Sequence, residues 1–262
     1  WNFIDWVHGW PDGMAPGADK SVSGIINLQL VRTLGYVAEL EDAAGEPELA
    51  QRVRRKAADL TRAIETRLWD DQRGLFADDL EKTNFSEHAQ AEAILCGFIS
   101  PDKLETLRRT LFTDTGLART TISYSHYLFD ACRKLGRTDV LLQRLDLWRG
   151  LPALGLYTTP EGPEPTRSDC HAWGAHPIYH FFATILGIRP ASPGFRTVRI
   201  EPQLGGLAWA RGTMGHPCGA IIAEIETHAG TVHGRITLPA GVTGTLVRSG
   251  ETLPLQSGLT EF

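Results

Sequence analysis

Long apolar runs, paired cysteines and a basic stripe are all missing from this chain. No stretch reaches the about eighteen consecutive apolar residues of a membrane-spanning helix, so no membrane partner is expected. The four cysteines, Cys96, Cys132, Cys170 and Cys218, lie far apart with no CxxC pair. That spacing offers neither a disulfide framework nor a zinc site, and it implies reduced thiols in a reducing compartment. No metal or other cofactor is implied. The net charge of −5 is spread over mixed acids and bases, which excludes the basic footprint of a nucleic-acid binder. The chain opens on Trp1 rather than methionine and shows no signal peptide. It therefore reads as a fragment, with a cytoplasmic location as the expectation.

What is present is an ordinary packed chain, 42% apolar over 262 residues, with room for one large or two modest domains. Its chemistry concentrates between Gly155 and Pro177, GLYTTPEGPEPTRSDCHAWGAHP. Two carboxylates, Glu161 and Glu164, sit in a loop rich in proline, glycine and threonine. Such loops stay at the surface, where functional residues gather. Arg167, Asp169, Cys170, His171 and Trp173 follow at once, then an apolar helix over about 177–186. Arg167 and Asp169 are expected to pair and hold the loop. A nucleophilic Cys170 would need a nearby base and a depressed pKa, which the sequence does not supply. If the loop is not catalytic, His171 and Trp173 merely pack.

The Thr158–Thr159 pair two residues before Glu161, the run RSDCHAW-x-A-x-P and the later ILGIRPASPGF (Ile185 to Phe195) together resemble bacterial α-L-rhamnosidases of glycoside hydrolase family 78. The resemblance implies an inverting two-carboxylate glycosidase acting on a rhamnose-containing oligosaccharide or glycoside. It puts the general base at Glu161, with Glu164 as the alternative, and has His171 bond sugar hydroxyls. The family's general acid lies in an R-D-E-R-x-G-W motif upstream of an F-x-DW turn. That motif is not found here, so the acid is expected outside these residues and the fragment is expected to be inactive alone. Were the fragment active, Asp5, Asp12 and Glu87 would be the acids to test.

The first residues, WNFIDWVHGWPDG, interleave Trp1, Phe3, Trp6 and Trp10 with Asp5, His8 and Asp12. Aromatic faces beside carboxylates suit a sugar, and they also suit a plug at one end of a helical core. FIDW resembles the F-x-DW turn, which implies Asp5 and Trp6 as sugar contacts, with Trp10 and Trp173 as further lining. His88, in FSEHAQ, either faces the sugar or is a satisfied structural histidine.

Helical periodicity runs over about 19–44, with an apolar face of Val22, Ile25, Ile26, Leu30, Leu34, Val37 and Leu40, and over about 48–68. LWDDQRGLFAD then makes a return at Gly74. Further helices are expected over about 85–97, with Ser86 as N-cap, 102–112, 121–135 and 138–149, the last capped by Thr138. They form antiparallel hairpins, roughly the second half of an (α/α) six-hairpin toroid. Strand alternation takes over after Pro190, with turns at short spacing, and predicts an antiparallel β-sandwich. The expected domains are 1–190, part of the toroid, and 191–262, the sandwich, which in the family is an accessory domain. An open half-toroid exposes apolar faces, so self-association of the fragment is expected. Three other classes remain open: another toroid glycosidase, a non-catalytic carbohydrate-binding unit, and a purely structural helical domain.

Overall fold

Ser23 starts the first helix by accepting a hydrogen bond from the Ile26 amide through its hydroxyl, at 3.3 Å, which satisfies one of the amides a helix leaves bare at its start. In the computed structural model, which describes residues 1–19, 22–248 and 250–262, this helix is α1, Gly24–Ala43. It begins later than its periodicity suggested, and Lys20 and Ser21 of the expected start lie outside the described residues. Gly24 permits the close start: its amide donates to the Asp78 carbonyl at 2.8 Å, and a Cβ there would sit 2.4 Å from the Ala77 carbonyl oxygen. Gly45, at φ 83°, ends the helix, and Pro47 opens α2, Pro47–Leu68, as its first residue.

The chain divides into two compact units. The first joins Trp1–Leu135 to Thr158–Gly174, and the second joins Gly136–Tyr157 to Ala175–Phe262. In the first, α1 packs on α2 as a helical hairpin. Strands β1 (Trp69–Asp70) and β2 (Leu75–Phe76) turn back through Gly74. Helix α3, Glu87–Cys96, is the centre of the unit. All its residues but Glu87 and Leu95 are buried, and it packs on both α1 and α5, Ser125–Leu135. Ala89, Ala91 and Ala93 keep it slim enough for neighbours on several sides. Gln90 ties the return to this helix, accepting from the Phe76 amide at 2.8 Å and donating to the Phe76 carbonyl at 2.7 Å. Helices α4, Pro101–Thr110, and α5, Ser125–Leu135, complete the unit.

Helix α1 departs from its expected face. Ile25, Leu28, Val31 and Ala38 are buried, whereas Val22, Leu30 and Leu40 are exposed. The helix is apolar on more than one side, and packing against α2 and α3 selects the stripe that periodicity alone left undecided. No helix among the described residues is long and apolar enough to cross a membrane.

The second unit opens with α6, Thr138–Arg144, and α7, Asp146–Arg149. The N-cap of α6 is Arg137, not Thr138, and no side chain caps it. Helix α8, Pro177–His180, widens into a π-helical turn over Phe181–Ile185. Two four-stranded sheets follow. One has the order β3-β4-β8-β9, built from Ile188–Pro190, Thr197–Ile200, Thr243–Arg248 and Glu251–Leu255. The other has the order β10-β7-β6-β5, built from Gly258–Glu261, Thr231–Leu238, Gly219–His228 and Trp209–His216. All ladders are antiparallel except β4 with β8, so the first sheet is mixed. Inward residues alternate along β6, with Ile221, Ala223 and Ile225 buried. They join Ile188, Val198, Ile200, Ile236, Leu246 and Leu255 in one apolar core.

Candidate active site

The loop carrying Glu161 is held at its neck by its own backbone. The His171 amide donates to the Thr159 carbonyl at 2.7 Å, and the Glu161 amide to the Ser168 carbonyl at 2.8 Å. The Thr159 hydroxyl donates to the His171 carbonyl at 2.9 Å, and that of Thr158 to the Asp169 carbonyl. Trp173 adds an indole N–H on the Glu161 carbonyl at 2.7 Å. Both backbone groups of Glu161 are therefore satisfied, and its side chain projects from a hydrogen-bonded frame.

That side chain is 2% exposed. Arg167 grips both carboxylate oxygens, Nε on Oε2 at 3.0 Å and an Nη on Oε1 at 2.5 Å. The Trp6 indole N–H donates to Oε1 at 3.2 Å. A carboxylate offers about four lone-pair sites, so three donors leave room for one more. Hydrogen bonding from Arg167 holds the Glu161 carboxyl below its ordinary pKa; loss of hydration opposes this, and the Arg167 charge and the Trp6 bond reinforce it. Glu161 is therefore an ionised acceptor at neutral pH. Arg167 pairs with Glu161 and not with Asp169. The planar fork of the guanidinium favours the partner it can meet with two bonds at once.

Trp6 is placed from the other side. Its amide donates to Asp5 Oδ1 at 3.0 Å. Asp5, 0% exposed, also accepts from the Thr121 amide at 2.7 Å, the Thr121 hydroxyl at 2.5 Å and His88 Nε2 at 2.9 Å. His88, equally buried, lies between the rings of Trp10 and Tyr124, at centroid distances of 4.8 and 4.5 Å. Phe3 meets Trp6 edge-on at 5.0 Å and lies parallel to Trp173 at 6.1 Å. Gly162 lets Trp6 come this close: a Cβ there would fall 2.9 Å from the Trp6 Cβ.

Above the carboxylate lies a cleft of 310 Å³ lined by Trp6, Val7, His8, Glu161, Glu164 and Arg167, among others. The structure thus brings Trp6, Glu161, His171 and Trp173 together, the last two with rings 4.3 Å apart. Asp5, His88 and Trp10 lie behind this group, buried, where they fix the Trp6 segment instead of facing the cleft. Glu164 is exposed and accepts from the Thr166 amide at 3.0 Å. Glu87 accepts from the Thr120 amide at 2.8 Å, and Asp12 is exposed on a short turn. Around Glu161, no three His, Cys, Asp or Glu side chains among the described residues bring ligand atoms together for a metal. Thr121 and Gly162 were not among the expected site residues. Gly162, directly after the catalytic candidate, carried a readable signal of close approach; Thr121 carried none.

Residues 6–173 match the family model of the mannosylglycerate hydrolase MGH1-like glycoside hydrolase domain, and residues 187–258 match the bacterial alpha-L-rhamnosidase C-terminal domain. Among solved structures, the GH78 family rhamnosidase of Bacillus sp. GL1 aligns with a TM-score of 0.83 at 27% identity, over 95% of this chain and 28% of that one. The α-L-rhamnosidase of Streptomyces avermitilis, solved with L-rhamnose, aligns with a TM-score of 0.69 at 16% identity, over 90% of this chain and 26% of that one. The rhamnosidase of Klebsiella oxytoca, with rhamnose bound, gives 0.57 at 22% identity, over 69% and 36%. The chain thus spans between 26% and 36% of the length of these solved proteins. No curated protein matches the chain.

Proposed function

The chain belongs to the MGH1-like glycoside hydrolase domain family and carries a rhamnosidase-type C-terminal domain; from that premise we propose that it is part of an inverting α-L-rhamnosidase whose general base is Glu161. The observation that carries this reading is the state of the Glu161 side chain: buried, ionised, aimed by Arg167 and Trp6 into a cleft, with one acceptor site to spare. In the reaction a water held on that site attacks the anomeric carbon. Glu161 takes the water's proton, and a carboxylic acid on the opposite face gives its proton to the leaving oxygen. An inverting pair needs about 6.5–9.5 Å between the two groups to admit the water. In this reading the acid comes from outside Trp1–Phe262, as part of a longer enzyme with the second half of a helical toroid here. The aromatic faces of Trp6 and Trp173 take the C–H side of the sugar, and His171 meets a hydroxyl. Asp5, His88 and Trp10 act on the sugar only through Trp6. The one reacting group this chain supplies, Glu161, falls within 1–190, and the sandwich, 191–262, contributes none.

The experiment is hydrolysis of an aryl α-L-rhamnoside by the full-length enzyme, with the anomer first released read by proton NMR. Release of the inverted sugar, lost in Glu161→Gln, bears the reading out; retention of configuration overturns it. A second reading keeps the base and changes the substrate. The family model matched over 6–173 is named for mannosylglycerate hydrolase, and the Arg167 side chain is 71% exposed at the cleft, where it would face an acidic aglycone. Turnover of mannosylglycerate in place of the rhamnoside decides for it. Binding of either sugar without turnover by the full-length protein would leave only a carbohydrate-binding role.

A further inference from the structure

The second unit carries an aromatic and charged groove of its own, on the outward face of the β5–β6–β7–β10 sheet. Strand register arranges this face in rows. Trp209 on β5 opposes Glu226 on β6, which opposes His233 on β7. One step along, Arg211 opposes Glu224, Glu224 opposes Arg235, and Arg235 opposes Glu261. Side chains at these positions share a face because alternate residues of a strand point the same way. The groove over the two rows measures 560 Å³. Trp209 is 59% exposed within it, with the Arg211 guanidinium 5.3 Å from its ring. Arg235 holds Glu224 through Nε at 2.7 Å and an Nη at 2.6 Å.

We propose that this groove is a carbohydrate-binding site for a neutral oligosaccharide, separate from the Glu161 cleft. The charges select the ligand. Guanidiniums and carboxylates alternate across the four strands, so no sign dominates and neither a phosphate chain nor an acidic polysaccharide is attracted. Donors and acceptors stand side by side, and a sugar's neighbouring hydroxyls, each both donor and acceptor, meet such a row directly. The open Trp209 ring supplies the stacking surface for the C–H face. A docked protein would need a dry apolar centre, and the centre of this face is its charged row. The proposal goes beyond the hydrolytic reading: it concerns other residues, and binding here requires no turnover.

The test is isothermal titration of the chain with neutral rhamnose-containing oligosaccharides and, in parallel, with methyl α-L-rhamnoside and with an acidic polysaccharide at low and high salt, each against Trp209→Ala, Arg235→Gln and Glu161→Gln. The side chains of Trp209 and Arg235 stand on the surface, so far-UV circular dichroism and melting should stay as in the parent. Trp209→Ala is expected to weaken oligosaccharide binding about tenfold, and Arg235→Gln to weaken it as well. Glu161→Gln, which abolishes turnover if the hydrolytic reading holds, is expected to leave this affinity unchanged. Three outcomes overturn the proposal: no saturable binding, binding unchanged in Trp209→Ala, or binding confined to acidic polysaccharides and abolished by salt. A failure of hydrolysis would leave the Trp209 result untouched, so the two readings fail separately.

Discussion

The indole N–H of Trp6 reaches Oε1 of Glu161 at 3.2 Å across 155 residues of sequence. This bond joins the aromatic N-terminal segment to the carboxylate loop. Behind it Asp5 holds the Trp6 amide, and Thr121 and His88 hold Asp5. In front of it Arg167 closes on the same carboxylate and lies 5.3 Å over the Trp6 ring. The proposed base is thus oriented by neighbours that are themselves hydrogen-bonded in place, which is what preorganisation of a catalytic group requires.

Loss of the proposed base is the first test. In the full-length enzyme, Glu161→Gln should lower kcat by about 10²–10⁴-fold with little change in KM. Glu164→Gln should change either constant by less than about threefold, since the Glu164 side chain is exposed and bonds only its own loop. Steady-state kinetics on an aryl α-L-rhamnoside checks both. The reverse pattern would move the base to Glu164.

If Glu161 is the base, Arg167 should set the pH at which it works. Its hydrogen bonds and charge hold the Glu161 carboxyl low. Without them the carboxyl stays protonated to higher pH, and a protonated carboxyl cannot accept the water's proton. Arg167→Met should therefore move the acidic limb of the kcat/KM–pH profile upward. An acidic limb at the parent's position would show that Arg167 does not tune the base.

Gly162 tests the packing beneath the carboxylate. Its backbone tolerates alanine, but the new methyl would meet Trp6 at 2.9–3.1 Å. Gly162→Ala should displace the indole and cost about 1–3 kcal/mol of stability from overpacking. It should also lower kcat/KM, because the N–H bond to Glu161 is lost. Trp6→Phe removes the same N–H without the added methyl, so a loss of kcat/KM in both variants ties the effect to the hydrogen bond. Full activity in both would leave that bond without a role.

Much of this arrangement was legible in the sequence, for physical reasons that differ by element. Helix α2 kept its expected span because its polar face is unambiguous, with Ala57, Ile64 and Leu68 buried although Leu49 is exposed, whereas α1 is apolar on several sides and its buried stripe was set by its neighbours. The short strands Ile188–Pro190 and Gly258–Glu261 carry too few residues for alternation to show. The parallel pairing of β4 with β8 joins segments distant in sequence, beyond the reach of any local pattern. At the site, Glu161, His171 and Trp173 stand in one stretch and read together. The Asp5–His88–Thr121 network depends on three separate segments meeting, so neither the partner of Asp5 nor the burial of His88 had a local signature. Proximity in sequence favours Asp169 as the partner of Arg167, yet bidentate geometry selects Glu161.

Asp78 supplies a stability prediction. Burial pushes its carboxyl up to about 7; the Ser86 hydroxyl, donating at 2.8 Å, opposes this, and the neighbouring Asp79 charge adds to it. In the unfolded chain an aspartate titrates near about 3.9. Between those two pH values the folded chain keeps a proton that the unfolded chain has released. Stability must therefore fall as pH rises from about 4 to about 7 and remain low above that window. The carboxamide introduced by Asp78→Asn cannot ionise, and its oxygen still accepts from Ser86. Asp78→Asn should consequently match the parent near pH 4.5 and exceed it at pH 8, in urea midpoint as in melting temperature. Taking the difference between the two proteins at each pH cancels the other acids, whose titration both share. If Asp78→Asn lowers the midpoint equally at pH 4.5 and pH 8, the Asp78 charge is stabilised in the fold by some other means and its carboxyl titrates in the ordinary range.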